Sequence, residues 1–282
     1  MRFDLRAPDF GAPRAELYAA ALDMAAWAES RGCLSAVLCE HHTSDDGYLP
    51  SPMILASAMA ARTTTLPITI AVVLLPLYDP VRLAEEMCVL DIISNGRVTY
   101  IAAIGYRPVE YDMYGVDFHT RGKLAEHKLA LLLRAKTGEP FDVEGRHIHV
   151  TPPPVTPGGP MVMWGGGSVA AARRAGRFGI GFLAQGGGPE LHNAYEAAAR
   201  DAGHEPLLCF VPPADTATTV FVADDLDRAW DELGPHLMHD VRTYAQLERR
   251  EPRHGEPLVR LHCGRAARRE PQPPHRHQRG GR

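Results

Sequence analysis

The sequence predicts an α/β fold of repeated strand–helix units, a (β/α)8 barrel ahead of an open doubly wound sheet. Three observations carry this. Short apolar runs rich in Val, Ile and Leu alternate with longer stretches of helical periodicity. The runs lack strict apolar/polar alternation, so both faces of the strands are buried, as in a parallel sheet covered by helices. Seven such units can be counted before residue 247, close to the eight of a closed barrel.

Taken in order, "RFDL" (2–5) opens the chain as a strand. The helical segment 14–32 follows, with Leu17, Ala20, Ala21, Met24 and Trp27 at helical spacing and Gly32 just past its end. Strand two is "LSAVLCEHH" (34–42), and the helix "SPMILASAMAARTT" follows. Strand three is "ITIAVVLLPLY" (68–78). The next helix begins at Asp79-Pro80 and stops at Asn95-Gly96, a favoured helix ending. Strand four is "RVTYIAAIG" (97–105). The rhythm then breaks. Residues 106–160 hold one helix around 120–138 and the irregular "FDVEGRHIHVTPPPVTPGGP", which reads as an insertion with a hairpin strand at "GRHIHV". Strands resume at 161–164, 179–185 and 216–223, the last two followed by helices. Trp27 and Trp230 are expected in the core, Trp164 either walls a pocket or packs, and Arg121 and Glu126 suit an ion pair at a helix start.

The eighth unit is doubtful or missing. Residues 247–282 carry ten arginines against four acids, and "LVRLHC" is their single strand-like piece. Such Arg/Pro/His-rich text reads either as disordered or, with 27 arginines against three lysines in the chain, as the product of a shifted frame in a GC-rich gene. The expected division is a barrel domain over 1–246, with its insertion at about 106–160, and a tail over 247–282.

Composition excludes several classes. Five cysteines without a CxxC pair point to a reduced, cytoplasmic protein rather than a disulfide scaffold or zinc site. The pair His147/His149 has no third metal ligand near it in sequence, so no metal is expected. No apolar run is long enough to span a membrane, and the N-terminus shows no secretory signal. The body before residue 247 is acidic, which argues against nucleic acid as a partner. The lysines, Lys123, Lys128 and Lys136, all fall in one helical segment, which argues against a Schiff-base enzyme.

In a parallel barrel, ligands bind at the C-terminal ends of the strands. There the sequence places Glu40-His41-His42 after strand two, Gly105-Tyr106-Arg107 after strand four, Gly165-Gly166-Gly167-Ser168 after strand five and Gln185-Gly186-Gly187-Gly188 after strand six. Histidine suits proton transfer near neutral pH. A glycine run between a strand and a helix offers close backbone approach and unpaired N–H groups, either a seat for phosphate or simply a tight turn. It is neither the spaced dinucleotide fingerprint nor a Walker loop.

Four segments, "EHH" (40–42), 74–98, 105–132 and 163–182, line up in order with one family. Over residues 3 to 225 the chain resembles the luciferase-like flavin-dependent monooxygenases and oxidoreductases, including their deazaflavin-using branch. The resemblance implies a (β/α)8 barrel, a homodimer, and a cofactor at the strand C-termini: reduced flavin mononucleotide or a deazaflavin coenzyme. His41, with His42 beside it, falls at the catalytic position. Ala71, Val72, Gly105, Gly165, Gly166, Gly167 and Ser168 fall at cofactor-binding positions, with phosphate at Gly166–Ser168. The resemblance also implies a non-proline cis peptide in strand three, placed at Ala71–Val72 by counting back from Pro76. With flavin, the implied reaction is monooxygenation of a small molecule, the reduced cofactor coming from a separate flavin or deazaflavin reductase. With deazaflavin it is hydride transfer. A non-catalytic relative is the third reading. Where some members carry a phosphate-binding arginine at the end of strand four, this chain has Ile104.

Overall fold

A computed structural model describes residues 1–248 other than 214, 215 and 218. Its centre is a curled, seven-stranded parallel sheet in the order β1-β2-β3-β4-β7-β8-β9. The strands are β1 (Arg2–Phe3), β2 (Ala36–Leu38), β3 (Ile68–Leu74), β4 (Val98–Ala103), β7 (Met161–Gly165), β8 (Gly181–Leu183) and β9 (Cys209–Phe210). Helices α1 (Arg14–Ser30), α2 (Pro52–Arg62), α3 (Pro80–Ser94), α5 (Arg121–Ala135), α6 (Val169–Arg177) and α7 (Pro189–Asp201) connect them. A short α4 (Pro108–Met113) and an antiparallel hairpin, β5 (Phe141–Val143) with β6 (Arg146–Ile148), lie between β4 and β7. The last described helix is α8 (Leu226–Glu248). Residues Met1–His239 form one compact unit and a second begins at Asp240. Among the described residues no helix is long and apolar enough to cross a membrane.

Local chemistry accounts for the elements. Asp79 caps α3, its carboxylate accepting from the N–H groups of Val81 and Arg82, with Pro80 at the first helical position. Asn95 ends the helix in the left-handed conformation. Side chains alternate across the strands. Trp164 lies beneath the Arg174 guanidinium of α6, and Phe182 stacks on Tyr195 of α7, so both face the helix layer. Trp164 therefore packs and does not wall a pocket.

Three expectations are corrected. The seventh strand is Cys209–Phe210, not 216–223. The N–H groups of Phe182 and Ala184 donate to the carbonyls of Leu208 and Phe210, whereas Phe221 and Val222 are exposed and in no strand. β-Propensity is a local preference, and the ladder with β8 decides the strand. Trp27 and Trp230 are exposed, not core. The buried seam of α1 is Ala21, Ala25 and Ala28. Met24 and Trp27 each lie one residue away, rotated about 100° around the axis, and Arg31 covers the Trp27 ring. Finally, Glu126 pairs with Arg174 and Arg177 of α6, not with Arg121, whose guanidinium lies over the Phe118 ring.

Among the described residues no eighth strand joins the sheet, and β1 and β9 are its two edges. Of the expected tail over 247–282, Leu247 and Glu248 close α8, and the rest lies outside the described residues.

Candidate active site

The loops after β2 and β4 meet at the C-terminal end of the sheet and bring a set of titratable side chains together. His41 and His42 follow β2, and both are buried. Arg107, Glu110 and Tyr111 come from the segment after β4, where Gly105 takes a positive φ of 68° that a side chain rarely adopts. The Tyr111 hydroxyl donates to the Ile104 carbonyl and anchors α4 back onto the end of β4.

Glu110 is fully buried and is the hub. Its Oε1 lies 2.9 Å from His41 Nδ1, accepts the His42 N–H at 2.9 Å, and accepts from an Arg107 Nη1 at 2.9 Å. That same Arg107 nitrogen donates to the His42 carbonyl at 2.6 Å. Burial pushes the Glu110 carboxyl up, but the hydrogen bond and charge of His41, the His42 N–H and the Arg107 charge outweigh it and hold the group below the ordinary range. Edge-on contacts from Tyr48, at 4.9 Å, and Tyr106, at 5.6 Å, flank the His41 ring.

His42 turns to a different environment. Its Nε2 lies 2.9 Å from Glu40 Oε1, and the Tyr114 hydroxyl lies 3.3 Å from its Nδ1. Burial raises the pKa of Glu40 despite the opposing contacts of His42, the Leu74 N–H and Tyr78. Tyr78 is itself raised, by burial and then by Glu40. His42, Tyr78 and Tyr114 border a cavity of about 740 Å³ that runs between α2 and α3, walled by Ile54, Val89 and Ile93. None of Ala71, Val72, Gly105 or Gly165–Ser168 lines that cavity. The two histidines are thus adjacent in sequence, but their side chains serve different surroundings.

The glycine junction lies at the same end of the sheet, after β7. Gly165 is needed for close approach: a Cβ there would stand 2.9 Å from Ile101 and 3.2 Å from Val72. The Ala71–Val72 peptide is cis, at the bond the resemblance implies, and the β3–β4 register shifts there. Gly167 and Ser168 are exposed. Ser168 is the N-cap of α6, its Oγ accepting the Ala171 N–H at 3.2 Å, and its hydroxyl hydrogen remains able to donate. The Gly166 N–H donates to the Leu183 carbonyl at 3.2 Å, so the junction is a capped turn in which the Gly167 N–H and the helix N-terminus suit an anion. No cation stands at Ile104, and Arg107 is engaged by Glu110 and His42.

His147 Nδ1 pairs with Asp142 across the exposed hairpin at 2.8 Å. Among the described residues no group of three or more His, Cys, Asp or Glu is placed to hold a metal. Glu40 and Arg107 stand among the residues that the sequence places at the ligand end, with Glu110 close after, but none is assigned a role there, and Tyr114 is not singled out. The signal that points to them is their place, after strands two and four at the ligand end.

A family model described as luciferase-like monooxygenase matches residues 1–282. The chain belongs to that family. Among curated luciferase-like relatives, 4-hydroxyprotoasukamycin monooxygenase from Streptomyces nodosus subsp. asukaensis is 26% identical over 255 residues, covering 85% of this chain and 68% of that protein. The chain spans only about two fifths of the length of other curated relatives, at 37% to 42%, among them an alkanal monooxygenase alpha chain from Photorhabdus luminescens. Two solved structures show the fold. Monooxygenase RslO1 from Streptomyces bottropensis superposes with a TM-score of 0.74 at 20% identity, covering 88% of this chain and 78% of that one. The oxygenating constituent of 3,6-diketocamphane monooxygenase from Pseudomonas putida, in complex with FMN, gives 0.61 at 21% identity, covering 73% and 63%.

Proposed function

We propose that this chain binds reduced flavin mononucleotide and oxygenates a small organic substrate. The observation that carries the reading is the placement of the Glu110-bound His41 at the same end of the sheet as the Val72–Gly165 contact. The residues fit the cofactor. The turn has room: a Cβ on the exposed Gly167 would meet nothing within 4 Å. Gly167 and Ser168, with the N-terminus of α6, would hold the phosphate through backbone dipoles and one hydroxyl, beside Gly166, whose own N–H donates to the Leu183 carbonyl. Ala71, Val72 and Gly105 would border the ring system. Bound reduced flavin supplies the electrons that reduce dioxygen and leave one oxygen atom for the substrate.

The chain's own residues do the rest. His41 holds and exchanges a proton. Tyr48, Tyr106, Val72 and Ile101 keep water from the site. Flavin is favoured over deazaflavin because the curated relatives that carry an activity name are monooxygenases. We infer further that the seven strands belong to an eight-stranded barrel, that a separate reductase delivers the cofactor, and that the protein works in the cytoplasm. We also infer that two copies pair through the α2–α3 face, where Ile54, Val89, Ile92 and Ile93 are exposed.

Titration of the purified chain with oxidised and reduced flavin mononucleotide, and with the deazaflavin coenzyme, tests the reading. Saturable flavin binding, weakened by about tenfold or more in Ser168→Asp through charge repulsion at the phosphate seat, is expected. Tighter binding of deazaflavin would replace monooxygenation by hydride transfer. Binding of neither would leave a non-catalytic barrel.

A further inference from the structure

We propose that Glu110 is a positioning residue which, with its charge balanced by Arg107, fixes His41 in the Nδ1–H tautomer and sets the pH at which that ring takes up a proton. The inference rests on the reading of His41 as the proton-exchanging group and assigns how this chain prepares it.

The geometry argues the tautomer. Glu110 Oε1 accepts from the His42 amide and from Arg107, and both are obligate donors at 2.9 Å. An oxygen that accepts from two such donors carries no hydrogen of its own to donate, and the positive Arg107 favours the ionised form of the carboxyl. His41 Nδ1, at 2.9 Å from the same oxygen, must therefore carry the hydrogen. The neutral ring then has its lone pair on Nε2, so proton exchange passes through Nε2. Glu110 Oε2 is buried with no hydrogen-bond partner among the described residues. Its polar contacts among the described residues all run through Oε1 and hold one orientation.

Charge argues the second half. An isolated buried carboxylate beside an imidazole would hold it protonated through neutral pH. Arg107 is buried against Glu110 and the His42 carbonyl, and its positive charge opposes that pull. Among the described residues, the groups that also face the ring include Tyr48, whose hydroxyl donates to Asp4 and whose ring carries Arg6 at 4.8 Å, and Tyr106. Glu40 is next in the chain but is occupied by His42. His42 differs: its carboxylate partner Glu40 meets the Leu74 N–H, and no arginine hydrogen-bonds it among the described residues.

The test is long-range proton–nitrogen correlation spectroscopy on flavin-free protein labelled in its histidine rings, with His41 assigned by its loss in His41→Asn. At alkaline pH the wild type is expected to show the Nδ1–H pattern at His41. Glu110→Gln keeps an acceptor oxygen but removes the charge, so the tautomer stays and the titration midpoint falls by about one pH unit. Arg107→Gln leaves Glu110 unbalanced, and the midpoint rises by a similar amount. An Nε2–H pattern in the wild type overturns the proposal without any variant. So do midpoints in both variants that match the wild type in folded protein, as checked by circular dichroism. Because the spectra need no cofactor, the two readings separate. The expected spectra in a chain that binds no flavin sink the flavin reading alone, and the opposite result sinks the Glu110 assignment alone.

Discussion

Both ends of the sheet hold a carboxylate that accepts several hydrogen bonds on one oxygen, but the partners differ. At the N-terminal end of the strands, Glu29 Oε1 accepts the N–H groups of Thr64, Thr65 and Leu66 and the Thr65 hydroxyl. Nearby, Arg97 donates to the carbonyls of Ala60, Thr63, Leu66 and Ser94. These partners are almost all backbone groups of the turns that enter β3 and β4. At the C-terminal end, Glu110 meets His41 and Arg107, and Glu40 meets His42 and Tyr78. Backbone partners cannot change protonation, so the first end can only hold loops in place. Side-chain partners titrate, so the second end can tune and exchange protons. The contrast matches the division of parallel barrels into a stability face and a ligand face.

Substitutions at each end can break or sharpen that contrast. The largest effect is expected from His41→Ala, which should lower turnover by about 10²–10⁴-fold while flavin affinity, read by fluorescence titration, changes little; equal losses in both would move His41 into a binding role. Arg97→Met should cost about 2–4 kcal/mol in urea denaturation, because four carbonyls lose a charged donor. Flavin binding should be unchanged at a temperature where the variant is folded, and a parallel loss of binding would erase the distinction between the two ends. Gly165→Ala places a methyl against Val72 and Ile101 and should cost about 1–3 kcal/mol by overpacking, with flavin binding falling as well. Ser168→Ala removes the α6 cap at about 1 kcal/mol, visible as a small drop in melting temperature.

The smallest effect concerns acid. Glu29 is held down to about 2 from 4.5, first by the Thr65 N–H. A folded pKa below the unfolded value contributes stability that is complete above about pH 4.5 and is lost as pH falls toward 2. Glu29→Gln should therefore lower stability near neutral pH and flatten the acid limb of a melting-temperature profile. An unchanged limb would show that Glu29 is not the group responsible.

The elements with their own punctuation were legible from residues alone. Asp79-Pro80 and Asn95-Gly96 bracket α3 because caps act within one turn. The unbroken Val/Ile/Leu run of β3 reads as a doubly buried strand. The phase of α1 was not legible, since Ala21 and Trp27 are both apolar at helical spacing and only packing selects the narrow alanine seam. Nor was β9, because two residues gain strand geometry only from the ladder beside them.

At the site, sequence determined which chemical groups sit at the strand ends: two histidines after β2, glycines and a serine after β7. It determined this because strand, turn and helix start are set by local periodicity and capping. Tertiary structure alone decided which carboxylate serves which histidine. Glu110 stands 69 positions from His41, and no local rule reaches that far. Their pairing comes from the curl of the sheet, which brings the loops after β2 and β4 over the same end and buries them together, where Arg107 balances the charge.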